Sequence, residues 1–557
     1  MDFTHLHVHT HYSILDGMGT IPKLVDKAMT LGMKGIAITD HGNMFGIPDF
    51  LDYVQKKNQT RPKGDWFKPI VGCELYVAQD RLTTRMGYRD FGTHLTVLAK
   101  NKYGYSNLVK LLSNAWTEGF YRHPRTDKYE LAKHKEGLIV LSGCLGGEIP
   151  RLILWGKTAE TEQRLLWFKE TFGEDFYIEI TRHQTEDSNA NTEVFKRQED
   201  VNPILVMLAK KHGIKIVATN DVHFVNRDDA DVHECLPCVA LAKKLDVFHM
   251  HYTKEEWLKS AEEMCEIFQD IPDSISNTQE IFDKVQFYSI ESAPATPTFT
   301  PDNGKSDYEY LQRVTNAGVK EKYGEDNQGV NNRVLRELDV IRENGLSGLF
   351  LIIHDIINHA ISDPNINIGA IHGALSQSLV AYSLGITRTP PLEDEAKAFR
   401  FLTHRHNILN PITIDIDRKG RDAIWQYIQA KYGNDKVARI ASFQRIGYKT
   451  SIMDIARVHG LAYSEAIAIV KSQVNQRQRN GQLKRILNHA KQIEGNIRGI
   501  SMTPDGVVMS PIPISSIVPV MSCRSNVSPI MLMTQYSSLG VETSGLLRIN
   551  FRVRDSK

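Results

Sequence analysis

A repeated pattern in the first 230 residues constrains this chain more than any other feature. Short apolar runs end in a histidine, an acid or a cysteine, and segments with apolar residues at helical spacing lie between them. The runs are FTHLHVHT, GIAITD, PIVGCELYV, HLTVLAK, GLIVLSGC, FYIEI and IKIVATNDVHFV. This alternation predicts an α/β fold with a mostly parallel sheet, which could close into a β/α barrel.

Nine side chains with metal-ligand chemistry lie at or just past the carboxyl ends of the predicted strands. They are His7, His9, Asp16, His41, Glu74, His94, Cys144, Asp221 and His223. Binding groups gather at this rim in β/α folds, and Zn, Mn and Fe accept such mixed ligands. A lone histidine on a strand is more often a buried core residue, but nine donors at successive strand ends favour metal. Because one tetrahedral ion needs four ligands, we expect two or three divalent ions.

Composition places the chain among multidomain globular proteins. It has 557 residues, of which 41% are hydrophobic and 24% charged. No signal peptide or run of about 18 apolar residues occurs, and six scattered cysteines suggest reduced thiols. We therefore expect a cytoplasmic protein with no membrane partner. Since the net charge is only +1, contacts with nucleic acid must come from local basic patches.

Three features of the remaining sequence have more than one interpretation. Asp415 and Asp417 alternate in ITIDIDRKGRD, so both could face a shared pair of Mg²⁺ ions, or be two acids at a strand end without metal. The segment 471–498 has a basic surplus that suits a duplex backbone or a solvated helix face. Cys235 and Cys238 form a lone CxxC without a second pair at suitable spacing, which favours buried thiols over zinc.

Several motifs resemble the PHP (polymerase and histidinol phosphatase) domain of bacterial replicative DNA polymerase III α subunits. They are HLHVHTHYSILDG, AITDHGNMFG, GCELYVA, LSGCLGGEIP and ATNDVHFV, and the resemblance runs over almost the full chain. The nine donors match the ligand pattern of metal-competent family members, with none missing. The resemblance implies metal-dependent hydrolysis of DNA phosphodiesters as a 3′→5′ exonuclease. His5 and His11 could orient ligands from beside the motifs.

The same resemblance implies a domain order and a fold class. We expect a PHP-type β/α barrel followed by an α+β polymerase palm remnant with a helical thumb. The expected segments are PHP 1–290, linker 291–306, palm 307–430, thumb 431–500 and palm 501–557. In FYRHPRTD, Arg122 and Arg125 could hold phosphate while Phe120 or Tyr121 stacks a base, or the segment could be an ordinary solvated loop. The candidate DNA contacts of the thumb are Lys449, Arg477, Arg479, Lys484 and Arg485.

The palm departs from the family pattern at two places. The run GAIHGALSQS stands where the family has Gly-Pro-Gly-Arg-Gly-Ser, so His372 replaces the phosphate-binding arginine. Asp415 and Asp417 match the paired catalytic aspartates, but Asn550 stands at the third, which leaves a degenerate site. The fingers and later domains of the family do not follow before residue 557. We therefore expect weak polymerisation or none.

Three hypotheses for the function follow. The first is a metal-dependent 3′→5′ exonuclease centred on the PHP site, and the second is a DNA-directed DNA polymerase that uses Asp415 and Asp417, with Mg²⁺ held there. The third is a non-catalytic module that docks on DNA or replisome proteins. In each case the expected partner is DNA, either at single-stranded 3′ ends or as primer-template, with replisome proteins as further candidates.

Overall fold

The computed structural model describes the chain in twelve stretches, which fall into two compact units. The described residues are 2–83, 85, 90–187, 190–247, 252–293, 295, 297–301, 306–325, 327–391, 412–471, 481–523 and 531–554. The first unit contains residues 1–289 and 443–501, and the second contains 290–442 and 502–557. Each unit is therefore built from two separate parts of the chain.

The first unit is organised around a curled sheet of buried strands. Its strands are β1 (Gly35–Ile38), β2 (Lys68–Val77), β3 (Thr93–Ala99), β4 (Arg125–Thr126), β5 (Leu138–Leu141), β6 (Phe176–Ile180) and β7 (Lys215–Ala218). The order is β1-β2-β3-β5-β6-β7, with β4 beside β2. Pairing is parallel except that β3 is antiparallel to β2 and β5. Because both faces are covered, these strands form continuous apolar runs.

The opening segment of the chain joins the two edges of this sheet. The backbone N–H of Ala37 donates to the carbonyl of His5 on one side, and the N–H of His9 donates to the carbonyl of Val222 on the other. Val8 pairs in parallel with Val222. The segment therefore lies between the ends of β1 and β7, which is the closure expected of a barrel.

Helices cover the sheet and belong to the same unit. They are Ile21–Thr30, Ile47–Asn58, Lys102–Thr117, Lys128–Lys133, Glu148–Leu154, Thr158–Phe172, Thr192–His212, Ala230–His233, Cys235–Ala240, Ala261–Ile267 and Pro272–Lys284. Helix Pro272–Lys284 packs Ile281 into one core with Leu6, Ile139 and Tyr177. This packing fixes the strands whose carboxyl ends carry the predicted ligands.

The thumb-like helices pack within the first unit. They are Tyr448–Val458, Tyr463–Lys471 and Gly481–Ile493. Ile452 and Ile486, both fully buried, share a core with Phe224 and Leu236 of the N-terminal part. The apolar stripe of each helix therefore faces the N-terminal part of the unit rather than solvent.

The second unit contains a mixed sheet. Its strands are β8 (Ile368–His372), β9 (Ile412–Ile416), β10 (Val437–Arg445), β11 (Ile497–Met509), β12 (Val520–Cys523), β13 (Met531–Thr534) and β14 (Leu547–Val553). The order is β12-β13-β10-β11-β14-β9-β8. Strand β14 runs parallel to β9 with Arg552 opposite Asp415, and β8 is antiparallel to β9. This register determines which side chains surround the predicted catalytic aspartates.

Helices pack on this sheet around one core. They are Asp307–Tyr323, Gln328–Glu343, Ser347–Ser362, Leu379–Ser383, Arg418–Tyr432 and Ser538–Thr543. Phe350 and Ile353 of helix Ser347–Ser362 are fully buried against Ile414 and Phe551 of the sheet. Among the described residues, no single helix has the length and apolarity needed to cross a bilayer, although Gln328–Glu343 with Ser347–Ser362, bent by 111°, would qualify as a pair.

The compact units divide the chain at different points from the predicted segments. Strand β10 begins at Val437 inside the predicted thumb but lies in the second sheet. In the predicted linker, Ala295 donates a backbone hydrogen bond to the carbonyl of Gly545 and pairs with Leu546. The described part of that segment is thus attached to the second unit.

Candidate functional site

The nine predicted metal ligands meet at one end of the first sheet. His7 and His9 lie on the opening segment, Glu74 on β2 and His94 on β3, and the others follow strands or lie in loops. Side chains of His7, His9 and Glu74 are at most 1% exposed, whereas Asp16 is 29% exposed. The site therefore has a buried floor and a rim that solvent reaches.

Glu74 lies at the centre of the cluster. Its Oε1 is 3.3 Å from His7 Nε2 and 2.9 Å from His94 Nδ1, and its Oε2 is 2.5 Å from His41 Nδ1. Burial alone would raise the pKa of this carboxyl, but His94, His41 and His7 hold it well below its ordinary value. Glu74 is thus an anion that faces three imidazoles at once.

Asp221 and Asp16 complete the charged side of the cluster. Asp221 Oδ1 lies 3.3 Å from the Nε2 atoms of both His7 and His9. Asp16 Oδ2 lies 2.9 Å from His41 Nε2 and 3.8 Å from His223 Nε2. Asp221 has φ +44°, a left-handed conformation that aspartate and asparagine adopt more readily than most other non-glycine residues.

Cys144 is the most distant of the predicted donors. Its Sγ lies 3.9 Å from both Glu74 Oε1 and His94 Nδ1. Burial, with Asp221 and Glu74 nearby, raises the pKa of the thiol well above its ordinary value. A bound cation would have to displace this proton before the sulfur could act as a ligand.

The donor set fits more than one divalent cation. Three triads of ligand atoms overlap here, and within each triad the atoms lie within 4.8 Å of one another. His9, His41 and Glu74 each belong to two of the triads. The triads are His7–His9–Glu74, His9–His41–His223 and His41–Glu74–His94. Within the triads, His41 Nδ1 and Glu74 Oε2 lie 2.5 Å apart, while His223 Nε2 is buried without a hydrogen bond. Imidazole nitrogens and carboxylate oxygens gathered this closely have the chemistry and spacing of ligands for cations.

Two supporting residues were not identified from the sequence. Glu179 on β6 accepts a hydrogen bond from His7 Nδ1 at 2.6 Å and from Thr219 Oγ1 at 2.6 Å. The Tyr252 hydroxyl donates to Asp16 Oδ1 at 2.6 Å. The one sequence signal that could have identified Glu179 was its place as a lone acid inside the apolar run FYIEI. Such partners fix the ring orientation of a ligating histidine.

His5 and His11 contact other groups than the predicted ligands. His5 Nε2 lies 2.9 Å from the carbonyl of Lys259, and both ring nitrogens of His11 are buried without a hydrogen bond. His233 instead lies 2.9 Å from the carbonyl of Asp16 through Nε2. The expected orienting role of His5 and His11 therefore has no contact that supports it among the described residues.

The predicted palm site is dominated by cations rather than by free carboxylates. Asp415 is 1% exposed, and its Oδ1 accepts a hydrogen bond from Arg552 Nε at 2.7 Å. Its Oδ2 lies 2.5 Å from Arg554 Nε and 2.8 Å from His372 Nε2. Burial opposes the effect, but Arg552 and His372 lower the pKa of this carboxyl. Gly369 allows this packing, because a Cβ there would lie 2.9 Å from the Cβ of Asp415.

Asp417 and Asn550 also have protein partners. Asp417 caps helix Arg418–Tyr432 by accepting from the N–H of Gly420, and it accepts from the N–H of Asn367 at 2.8 Å. Asn550 Oδ1 accepts from Arg548 Nε at 2.9 Å. Within the described residues, neither aspartate belongs to a group of closely spaced metal-ligand atoms. The expected Mg²⁺ pair would therefore compete with these partners for the carboxylate oxygens.

One predicted DNA contact is wrong and others lie at the surface. Arg125 is fully buried, and its guanidinium donates to the carbonyls of Gly119, Asp90 and Arg81, so it cannot reach a phosphate. Arg122, in contrast, is exposed, and its backbone has φ +64°. The mistake arose because an arginine in a loop motif looks the same in sequence whether it is solvated or buried.

The predicted thumb contacts fall into two groups. Lys449, Lys484 and Arg485 are exposed, although Arg485 also lies 3.4 Å from Asp231. Arg477 and Arg479 lie outside the described residues. Lys449 and Lys484 are therefore available to a nucleic-acid backbone.

Comparison with known proteins identifies the family. The profile described as "PHP domain" matches residues 5–183, and that described as "Bacterial DNA polymerase III alpha NTPase domain" matches residues 309–551. Proteins named DNA polymerase III subunit alpha from Borreliella burgdorferi, Treponema pallidum and Thermus aquaticus are 36%, 32% and 30% identical over 99% of this chain. The alignments cover 48%, 47% and 50% of those proteins, so the chain spans about half the length of these relatives. The chain belongs to the bacterial DNA polymerase III alpha family and carries a PHP domain at its N-terminus.

Proposed function

We propose that the PHP site hydrolyses DNA phosphodiesters as a metal-dependent 3′→5′ exonuclease. The observation that carries the proposal is the set of three overlapping triads of histidine and glutamate ligand atoms, each triad lying within 4.8 Å. Zn, Mn or Fe suits this mixture of imidazole, carboxylate and thiolate donors. Two or three such cations would supply Lewis acidity and stabilise the attacking and leaving oxygens of a phosphodiester.

The residues around the cations have separate roles in this proposal. Glu74 is placed to be shared between cations, because its two oxygens face different imidazoles. Glu179 accepts a hydrogen bond from His7 Nδ1, which directs His7 Nε2 toward the other donors for ligation. Tyr252 holds Asp16 by its other carboxylate oxygen. These contacts hold the donors before substrate arrives, which limits reorganisation during the reaction.

The accessible rim indicates where a strand end would bind. Asp16, His41 and His94 have side-chain exposures of 29%, 18% and 24%, in contrast to the buried floor. Phe120 is 46% exposed and stacks on Trp116, whose Nε1 donates to the carbonyl of Gly42, next to His41. We infer that Phe120 stacks a terminal base of single-stranded DNA, which is sequence-tolerant recognition. The exposed Arg122 nearby in sequence is the candidate phosphate contact.

Nucleotidyl transfer at the palm has little support. Arg552 and Arg554 neutralise Asp415, and Asp417 caps a helix, so neither carboxylate is free for Mg²⁺. The family nevertheless implies DNA and replisome proteins as partners. We propose that Lys449 and Lys484 bind the DNA backbone, in which case each removed lysine reduces the salt slope of binding by about 1. A primer-extension assay with Mg²⁺ and dNTPs should give no product.

The decisive experiment follows end-labelled single-stranded DNA with Mn²⁺, Zn²⁺ or Fe²⁺. A 5′-labelled strand should shorten stepwise, whereas a 3′-labelled strand should release labelled mononucleotide at once. Asp221→Asn should abolish hydrolysis while tolerating the left-handed backbone, because asparagine adopts that conformation readily. Asp273→Asn, at an exposed acid in helix Pro272–Lys284, is the matched control. Equal rates for the wild type and Asp221→Asn would refute the proposal.

A further inference from the structure

Three side chains that are far apart in the sequence meet away from the PHP site. Cys235 begins helix Cys235–Ala240, His489 lies in helix Gly481–Ile493, and His459 directly follows helix Tyr448–Val458. The three ligand atoms all lie within 4.8 Å of one another, and all belong to the first unit. Cys235 and His489 are buried, while His459 is partly exposed.

The separations between these atoms are those of zinc ligands. Zinc bonds are about 2.3 Å long to sulfur and about 2.05 Å long to nitrogen. In a tetrahedral site, two nitrogen ligands are therefore about 3.4 Å apart, and a sulfur and a nitrogen ligand are about 3.6 Å apart. Cys235 Sγ lies 3.6 Å from His489 Nδ1, and His459 Nε2 lies 3.4 Å from the same Nδ1. Both distances also suit weak hydrogen bonds, so a thiol–imidazole chain is the competing explanation.

The surroundings are compatible with a bound cation. Burial, with His459 and Arg485 nearby, lowers the pKa of His489 to about 4, and burial and Arg485 also lower the pKa of His459. Both rings are therefore neutral at physiological pH, as ligands must be. Burial raises the pKa of Cys235 to about 12, so the thiol would ionise only when a cation binds.

The cluster borders open space on two sides. His459 lines a cleft of ≈ 1060 Å³, and His489 lines another of ≈ 310 Å³. Asp231 and Arg485 line both clefts. The positive charge of Arg485 would oppose metal binding, but Asp231 lies 3.4 Å from its guanidinium and offsets that charge. Solvent from either cleft can supply the fourth position of a tetrahedral ion.

We propose that Cys235, His459 and His489 form a zinc site that clamps the thumb-like helices to the N-terminal part of the first unit. The site is separate from the PHP cluster and does not depend on nuclease activity. CxxC spacing alone argued against zinc here, because no second pair of ligands is close in sequence. The fold supplies that pair as His459 and His489, which lie 224 and 254 positions after Cys235 in the sequence.

Cobalt substitution of the full chain tests this site separately from the PHP site. In a Cys144→Ser background, which removes the PHP thiolate, Co²⁺ should still give a thiolate-to-cobalt charge-transfer absorption. Adding Cys235→Ser should abolish this band. Adding Cys238→Ser should leave it unchanged, because Cys238 is a buried thiol three residues away that is not in the cluster. Absence of the band in the background, or its persistence with Cys235→Ser, would overturn the proposal.

Zinc content provides a second readout if a cysteine variant fails to fold. His459→Gln changes a partly exposed ring outside any helix, so folding should tolerate it. Elemental analysis should find one zinc fewer per chain in His459→Gln than in the wild type, with hydrolysis by the PHP site retained. The same zinc content in both proteins would favour the thiol–imidazole chain and end the proposal.

Discussion

Glu74 in the first unit and Asp415 in the second are both strand carboxylates with 1% side-chain exposure, but their neighbours differ. Glu74 faces three imidazoles, which are candidate metal ligands in their own right. Asp415 faces two guanidinium groups and one imidazole. We therefore expect a cation to bind in the first group, whereas in the second it would have to compete with protein cations. Residue type at a motif position does not decide the chemistry unless the surrounding charges are known.

The largest contrast should appear when each carboxylate is neutralised in turn. Glu74→Gln removes the charge shared by three imidazoles, so DNA hydrolysis should fall by more than the roughly 100-fold that loss of an outer partner can cost. Asp415→Asn should leave the rate unchanged. Single-turnover hydrolysis of a short labelled strand measures both. A comparable loss in the two variants would mean that both sites contribute to one activity.

Metal binding should stabilise one unit and not the other. Cations that bind only the folded PHP site would contribute about 2.7 kcal/mol per ion at 100 times the dissociation constant. Hydrogen exchange should therefore slow in the opening segment and β2 when Mn²⁺ is added after chelation, but not in β9. Asp221→Asn should lose the effect. Equal protection of β9 would contradict the assignment of Asp415 to a metal-free group.

Weakening the contact between Glu179 and His7 should have an effect of intermediate size on metal affinity and activity. Glu179→Gln keeps the shape, and its amide oxygen can still accept from Thr219, but it removes the charge that holds His7 Nδ1, so metal affinity and activity should fall roughly 10–100-fold. Excess Mn²⁺ should restore most of the rate, because the ligands themselves remain. A loss that no metal concentration restores would point to a direct role in the reaction instead.

The smallest effect concerns Asp417. If its main role is to cap helix Arg418–Tyr432, Asp417→Ala should cost about 1 kcal/mol of local stability. Asp417→Asn should cost little, since asparagine is an equally good cap. Hydrogen exchange of peptides from that helix measures the difference, and DNA hydrolysis should be the same in both variants. An equal cost in Asp417→Asn and Asp417→Ala would instead favour a charge-dependent role.

The fold class and the family were predictable because their signals are local and repeated. Buried strands appear as apolar runs, and a donor placed at each strand end converges with the others once the sheet curls. Glu179 was missed because one acid in an apolar strand does not reveal its partner. The group of Cys235, His459 and His489 was missed because its members come together only through packing of the thumb-like helices.

Charge pairing was the least predictable feature. The sequence indicated that Asn550 weakens the palm site, but the stronger effect comes from Arg552, which the parallel register places opposite Asp415. Arg125 was assigned to phosphate although three backbone carbonyls hold it in the interior. In both cases the partner of the arginine depends on strand register and burial, which residue types alone do not specify.

The position of the opening segment has a consequence for biosynthesis. Because this segment is hydrogen-bonded on one side to Ala37 of β1 and on the other to Val222, its pairing cannot be completed until residues much later in the chain have been made. A nascent chain would carry His7 and His9 without Asp221 and His223. The proposed metal site would therefore be complete only after the residues that follow β7 have been made.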